Sequence, residues 1–109
     1  MPKNIKRFSV YWVDLGQPEG SEMKKVRPCV VVSFDEMNSF LGTVIIIPLT
    51  STIKKWPCRL TMTFSGQESS VACDQIRVVD KFRIKSYVGK FKPIDKTKVI
   101  GILQTIFSE

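Results

Sequence analysis

The chain has 109 residues, of which 43% are hydrophobic and 25% charged, with a net charge of +7 and no histidine. This length predicts one compact domain over residues 1–109 and excludes a two-domain protein. The absence of histidine excludes Ser–His–Asp and Cys–His catalysis, so any proton transfer falls to other groups. The positive charge favours a polyanionic partner, either nucleic acid or an acidic protein segment.

Three cysteines, Cys29, Cys58 and Cys73, occur without paired short spacings. Their number and spacing argue against a disulfide framework and against a zinc site, and we expect three buried, inert thiols. The basic segment Met1–Ser9 lacks the apolar continuation of a signal peptide, and the apolar run Val44–Leu49 is too short to cross a bilayer. We therefore expect a cytoplasmic protein without a membrane partner, a metal or a cofactor.

The first half of the chain predicts three strands, rich in β-branched and aromatic residues. They are Ser9–Asp14, Arg27–Ser33 and Gly42–Pro48. Pro28 must lie near the start of its strand, because proline cannot donate to a ladder. Trp12 alternates within the first strand, and we expect it to be buried. A long polar loop, Leu15–Val26, and a connection, Phe34–Leu41, join the three strands.

The second half begins with a basic loop, Leu49–Trp56, and continues with a half-buried strand, Cys58–Phe64, and a turn, Ser65–Ser70. Three further strand segments follow: Val71–Cys73, Ile76–Val79 and an outer strand, Ile84–Phe91. The apolar spacing predicts a C-terminal helix over Pro93–Phe107. Its apolar face is Val99, Ile102, Leu103 and Ile106. Gly101 costs a helix about 1 kcal/mol relative to alanine, so we expect close packing against it.

Five or six short strands, two long polar loops and one C-terminal helix favour a mainly β fold, a small curved antiparallel barrel or sandwich. If consecutive strands pair antiparallel, Arg27 and Thr50 lie on one rim of this barrel. A guanidinium beside a hydroxyl can bind a phosphate group. The spacing alone favours a plainer interpretation, in which Arg27 pairs with a surface carboxylate and Thr50 closes a turn.

Other side chains near this rim could bind nucleic acid. Asp74 and Gln75 follow a short apolar strand and could recognise base edges, although aspartate there is more often a turn former. Trp56, in a polar loop, is the better candidate for base stacking. Lysines of the two loops could form a basic rim for a phosphate backbone. These are Lys24, Lys25, Lys54 and Lys55.

Several segments resemble MazF/PemK toxins in order and spacing. They are Val10–Leu15, Gly20–Glu22, Arg27–Ser33, Ile47–Ser51 and Cys73–Asp80. The resemblance runs over nearly the whole chain, including the terminal helix. It implies an SH3-like small β-barrel that forms homodimers and cuts single-stranded RNA at short sequences without metal. Such mRNA interferases leave 2′,3′-cyclic phosphate and 5′-hydroxyl ends, and an acidic antitoxin neutralises them.

The resemblance also assigns roles to residues. Arg27 and Thr50 match the catalytic arginine and its threonine partner, and Glu22 matches an acidic loop position near the substrate. Either Glu22 or Asp74 could remove the proton from the ribose 2′-hydroxyl, and the sequence does not choose between them. The implied substrate-binding residues are Ser21, Lys24, Lys25, Ser51, Lys54, Trp56, Asp74 and Gln75.

The chain departs from the family pattern at three places. Ser21 and Ala72 replace a histidine and an arginine of some PemK-branch members, so the MazF branch is the closer model. Phe8–Ser9 replaces a glycine and an acidic residue, which puts the local turn in doubt.

Two alternative functions remain open at this point. A CcdB-like toxin would inhibit DNA gyrase through its C-terminal helix, but Gln104–Glu109 shows no feature that suits that contact. A basic nucleic-acid-binding barrel would bind RNA in a salt-sensitive way without cutting it.

Overall fold

The computed structural model describes residues 4–16 and 26–109. These residues form seven strands and two α-helices. The strands are β1 (Ser9–Asp14), β2 (Val26–Val31), β3 (Thr43–Thr50), β4 (Arg59–Phe64), β5 (Gln67–Ala72), β6 (Arg77–Asp80) and β7 (Ile84–Lys90). The helices are α1 (Asp35–Phe40) and α2 (Pro93–Phe107), and short 3₁₀ turns, Cys73–Gln75 and Lys81–Arg83, precede β6 and β7.

One antiparallel sheet runs in the order β4-β5-β3-β2-β1-β7 and curls into a half-barrel. The long strand β3 organises it, because β3 pairs with β5 through Leu49 and Thr50 and with β6 through Thr43–Ile46. The 3₁₀ turn Cys73–Gln75 therefore lies between two strands that share one edge of β3. The expected mainly β fold with a C-terminal helix is confirmed, with more strands than the five or six predicted.

The sheet buries side chains on both faces. Val30 of β2 belongs to a cluster that includes Val99 of α2, whereas the neighbouring Cys29 and Val31 belong to a second cluster with Val44 and other residues. Burial on both faces explains why β2 and β3 read as continuous apolar runs rather than as alternating strands.

Helix α2 has the predicted bounds, but one expectation about it is wrong. Val99 is fully buried and Ile102 and Leu103 are half-buried, whereas Ile106 is 40% exposed. A Cβ atom built on Gly101 would meet no atom within 4 Å. Close packing therefore does not explain this glycine.

No helix of the described residues is long and apolar enough to cross a membrane.

Two segments were assigned wrongly from the sequence. The connection Phe34–Leu41 contains helix α1. The buried amide of Asn38 ties this helix to the chain just after β2 by donating to the Ser33 carbonyl at 2.8 Å.

The predicted turn Ser65–Ser70 is mostly strand β5, and only Ser65 and Gly66 form the hairpin turn. Both turn residues have positive φ, 51° and 76°, as two-residue hairpins with the right-handed twist require. The polar run Gln67–Ser70 hid this strand from a hydrophobicity pattern.

Three smaller expectations also need correction. Trp12 is 42% exposed, opposite Pro28 of β2, whereas its neighbours Tyr11 and Val13 are buried. Cys58 is half-buried, in contrast to the buried Cys29 and Cys73. The loop predicted at Leu49–Trp56 begins only at Ser51, since β3 continues to Thr50.

The turn before β1 is maintained at Phe8 despite the missing glycine. Phe8 has φ 66°, a conformation that costs a non-glycine residue about 1–2 kcal/mol. Its backbone N–H donates to Val31 at 2.6 Å, and its carbonyl accepts from Phe91 at 2.9 Å. The buried ring also stacks on Phe91, so packing and two hydrogen bonds offset the strain.

Candidate active site

The register of β2 and β3 brings Arg27 and Thr50 together. Cys29 pairs with Pro48, so the residues two positions further along, Arg27 and Thr50, lie side by side on the same face. Arg77 pairs with Ile46 and therefore shares this face too. Antiparallel pairing of neighbouring strands, as expected from the sequence, thus places a guanidinium beside a hydroxyl at one rim of the half-barrel.

These residues line a cleft of about 390 Å³. Four of its lining side chains are cationic: Arg27, Lys54, Arg59 and Arg77. The others are Leu15, Gly16, Pro48, Thr50, Thr52, Trp56 and Gln75. Within the described part of the chain, no carboxylate lines the cleft, and the excess of positive charge favours a phosphate group.

The hydroxyl of Thr50 is oriented by the loop that follows β3. The backbone N–H of Thr52 donates to Thr50 Oγ1 at 3.2 Å. Because this bond uses an acceptor lone pair, the hydroxyl proton of Thr50 can still be donated to an anion in the cleft.

Asp74 does not line the cleft but holds one of its arginines. Arg59 Nε donates to Asp74 Oδ1 at 2.5 Å, and Arg59 Nη2 donates to Asp74 Oδ2 at 3.1 Å. These hydrogen bonds hold the pKa of the Asp74 carboxyl below its usual range. A carboxylate engaged in this way is a weak proton acceptor.

Trp56 lies at the cleft and is 48% exposed. Arg59 Cζ lies 4.8 Å from the centre of its ring, and Lys54 Nζ lies 5.7 Å from it. These cation–π contacts orient the indole while leaving about half of its surface accessible to a flat partner such as a nucleobase.

Cys29 belongs to the apolar cluster on the same face as Arg27. Burial raises the pKa of its thiol to about 12, although the charges of Arg77 and Arg27 act in the opposite direction. Such a thiol stays protonated at neutral pH and is a poor nucleophile. No group of three or more cysteine or acidic side chains within residues 4–16 and 26–109 is arranged to hold a metal ion.

The structure brings together most of the predicted site residues that it describes. Those that line the cleft are Arg27, Thr50, Lys54, Trp56 and Gln75. Asp74 contacts it indirectly through Arg59, and Ser51 is exposed without lining it. The predicted residues Ser21, Glu22, Lys24 and Lys25 lie outside the described residues.

Three cleft residues with polar side chains escaped the sequence analysis: Thr52, Arg59 and Arg77. Arg59 could have been found from the alternation of its strand, since Leu60 and Met62 face the core and Arg59 must face the other side. Arg77 has no comparable signal, because only the pairing of β6 with β3 shows which face it occupies.

Comparisons with known proteins agree with this geometry. Residues 6–107 match the family model described as PemK-like, MazF-like toxin of type II toxin-antitoxin system. The chain is 31% identical over 107 residues to endoribonuclease MazF of Staphylococcus epidermidis, covering 90% of this chain and 89% of that protein.

Solved structures show the same fold. An endoribonuclease from a mycobacterial species, in complex with its cognate antitoxin, matches at 27% identity with a TM-score of 0.79, over 92% of this chain and 91% of that one. MazF in a MazE–MazF structure from Deinococcus radiodurans matches at 22% identity with a TM-score of 0.82, over 96% of both chains. The chain therefore belongs to the PemK-like, MazF-like toxin family of type II toxin–antitoxin systems.

Proposed function

We propose that this endoribonuclease toxin cleaves single-stranded RNA in the cleft between Arg27 and Thr50. A ribose 2′-oxygen gives up its proton and attacks the adjacent phosphorus. The bond from phosphorus to the 5′-oxygen breaks, the 5′-oxygen takes up a proton from solvent, and 2′,3′-cyclic phosphate and 5′-hydroxyl ends result. The observation that carries the proposal is that Arg27, Lys54 and Arg77 line one cleft with the Thr50 hydroxyl, while the fourth cation, Arg59, is paired with Asp74.

The cleft side chains would stabilise the charge that develops on the phosphate. Arg27 can donate two parallel hydrogen bonds to non-bridging oxygens, and Thr50 can add a third. Arg77, on the same strand face, adds positive charge. Internal attack needs alignment and proton removal rather than an external nucleophile. Arg27, Lys54 and Arg77 can supply the charge stabilisation, so the proposed reaction needs no metal.

The proton of the attacking 2′-hydroxyl needs an acceptor. Asp74 is engaged by Arg59, which leaves it poorly suited to the task. Glu22 is therefore our preferred general base. Arg59 and Asp74 then serve the reaction by fixing the wall of the cleft beside Trp56.

Further residues complete the proposed RNA path. Trp56 would stack on a base, and Gln75 would bind a base edge, while lysines bind phosphates. The remaining proposed contacts are Ser21, Lys24, Lys25, Ser51 and Lys54. We further propose a cytoplasmic homodimer neutralised by a cognate acidic antitoxin. The net charge of +7 suits such a partner, and the mycobacterial relative was solved with its cognate antitoxin.

A cleavage assay on long single-stranded RNA in EDTA tests the proposal. Wild type should give discrete fragments with cyclic phosphate ends. Arg27→Ala and Thr50→Val should each reduce cleavage by about 10²-fold or more, as loss of a transition-state donor does elsewhere. Thr43→Val, at the opposite end of β3, is the matched control and should cleave like wild type. Intact RNA with antitoxin-free wild type, or full activity of Arg27→Ala, would refute the proposal.

The alternative function, inhibition of DNA gyrase, has no comparable structural support. Nothing about α2 indicates a gyrase contact, whereas the cleft has the chemistry of a phosphate site. A supercoiling assay with purified gyrase would show no inhibition by this protein.

A further inference from the structure

A second basic groove lies away from the cleft, between the segment before β1, strand β7 and the first turn of α2. It has a volume of about 560 Å³. Its lining includes four cationic side chains, Lys6, Arg7, Lys90 and Lys96, and two aromatic ones, Tyr11 and Tyr87. Within the described residues, no carboxylate lines this groove.

The cations of this groove are partly held in place. Arg7 Cζ lies 5.1 Å from the centre of the Phe8 ring, and Lys96 Nζ lies 5.8 Å from it. Both charges are therefore organised around one buried ring, at the residue whose strained backbone fixes the turn before β1. The Asp35 carboxylate accepts from the backbone N–H of Arg7 at 2.7 Å, so it lies beside the groove without lining it. The four cations that do line it repel one another, and a bound polyanion would relieve that repulsion.

The groove also presents an aromatic face. Tyr87 is 57% exposed, whereas Tyr11 is 3% exposed. Their ring centres are 5.6 Å apart in an edge-to-face arrangement, so the buried ring supports the exposed one. An exposed aromatic ring among cations is the combination that binds single-stranded nucleic acid, because bases stack on it while phosphates contact the cations. An acidic peptide would use the cations but not the ring.

Strand β1 connects this groove with the cleft. Ser9 lines the groove, and Leu15, just beyond the end of β1, lines the cleft. At about 3.3 Å per residue, this stretch spans about 20 Å, a distance that several nucleotides of an extended strand can cover.

We propose that this groove binds the flank of a single-stranded RNA whose scissile phosphate lies in the cleft. The inference rests on the proposed function, since it concerns the same substrate. In this proposal the groove raises the affinity for long substrates and takes no part in the chemical step.

The test compares two double variants of equal charge. Lys90→Gln/Lys96→Gln removes two groove cations, whereas Lys92→Gln/Lys98→Gln removes the exposed lysines two positions further along, which lie outside the groove. Kinetics are measured with a long RNA and with an oligonucleotide only long enough to fill the cleft. Binding is measured separately by fluorescence anisotropy with a 2′-O-methyl RNA, which cannot undergo 2′-attack.

The groove variant should raise KM for the long RNA several-fold, with kcat unchanged and with the short substrate cleaved as by wild type. Its binding should also become less salt-dependent, with a slope smaller by about 1.4, at about 0.7 per phosphate contact on a single strand. The control variant should leave both KM for the long RNA and the salt dependence of binding close to the wild-type values. Tyr87→Ala should weaken long-RNA binding, and Tyr87→Phe should restore it.

The proposal would be overturned if the two double variants changed long-RNA binding and KM equally, or if neither variant changed them. So would weaker binding of a polyglutamate peptide with unchanged RNA binding, which would assign the groove to an acidic protein partner. Sedimentation analysis must show the same oligomeric state for all variants, because RNA binding lost through a changed assembly would count against the groove. The anisotropy arm needs no cleavage, so failure of the proposed function and failure of this inference remain distinguishable.

Discussion

Asp74 and Arg59 face each other across the end of the β4–β5 hairpin and share two hydrogen bonds, of 2.5 and 3.1 Å. The Arg59 side chain is 7% exposed and the Asp74 side chain 33%. The arginine also lies over Trp56, 4.8 Å from the ring centre. The ion pair therefore links the 3₁₀ turn before β6 to the aromatic wall of the cleft, and Asp74 acts on the cleft through Arg59.

Asp74→Asn should lower the free energy of unfolding by about 1–3 kcal/mol, because it leaves a buried guanidinium without its charged partner. The partial exposure of Asp74 favours the lower end of that range. Asp80→Asn, on the exposed end of β6, removes the same charge and should change stability little. Urea unfolding at pH 7 measures both. Cleavage should persist in Asp74→Asn, and a complete loss of cleavage with intact folding would instead identify Asp74 as the proton acceptor.

The stabilisation from this pair should depend on pH in a defined direction. The folded protein holds the pKa of Asp74 below its ordinary value of 3.8, chiefly through the hydrogen bonds from Arg59. A depressed carboxyl pKa contributes stability that is fully present above the unfolded value and is lost as pH falls through the folded value. The difference between wild type and Asp74→Asn should thus be constant near neutral pH and shrink below about pH 4. A difference that grows on acidification would contradict this origin.

The cleft was predictable from sequence where a polar residue lies at the end of an apolar strand. Arg27 lies at the start of β2 and Thr50 at the end of β3, so their meeting required only that the two strands pair antiparallel. The role of Asp74 was not predictable in the same way. Its partner Arg59 lies on a different strand, and only the register that pairs Arg59 with Ala72 brings the two side chains together.

The three cysteines should differ in reactivity. Burial raises the pKa of Cys29 to about 12 and that of Cys73 to about 11, so both remain almost entirely protonated at pH 8. Cys58 is half-buried. Iodoacetamide at pH 8, followed by mass spectrometry, should therefore label Cys58 first, and denatured protein should be labelled at all three. Labelling of Cys29 in the native state as fast as Cys58 would show that the apolar cluster opens readily.

Two buried serines should respond oppositely to replacement by alanine. Ser33, 4% exposed, donates through Oγ to Asn38 at 2.5 Å and accepts from the Ile45 N–H at 3.0 Å. Ser33→Ala should cost about 1–3 kcal/mol, because it strands buried polar groups. Ser70 is fully buried, and its Oγ has no hydrogen-bond partner among the described residues. Ser70→Ala should then be neutral or slightly stabilising.

Thermal and urea unfolding of the two serine variants provide the comparison, with each serving as the control for the other. A similar loss of unfolding free energy in both variants would mean that the Ser70 hydroxyl has a hydrogen-bond partner in solution. A loss of stability in Ser70→Ala alone would mean that the Ser70 hydroxyl, and not the Ser33 hydroxyl, makes the stabilising hydrogen bonds.

The fold followed from the runs and the spacing of apolar residues, except where polar residues form regular structure. Strand β1 and helix α2 have the predicted bounds, Ser9–Asp14 and Pro93–Phe107. Strand β5 begins Gln67–Glu68–Ser69–Ser70 and has no apolar signal until Val71. Pairing with β4 across the Ser65–Gly66 turn makes it a strand, and that tertiary preference is invisible in the segment itself.

Gly101 provides the final test, since close packing does not account for it. A side chain there would meet no atom within 4 Å, and glycine costs a helix interior about 1 kcal/mol relative to alanine. Gly101→Ala should therefore raise the free energy of unfolding by about 0.5–1 kcal/mol, partly by reducing the entropy of the unfolded chain. Urea unfolding measures the change, and cleavage of RNA should be unaffected, because Gly101 lines neither the cleft nor the basic groove. A destabilised variant would show that another molecule or a second copy of the chain packs against this part of α2, where the glycine would then be needed for close approach.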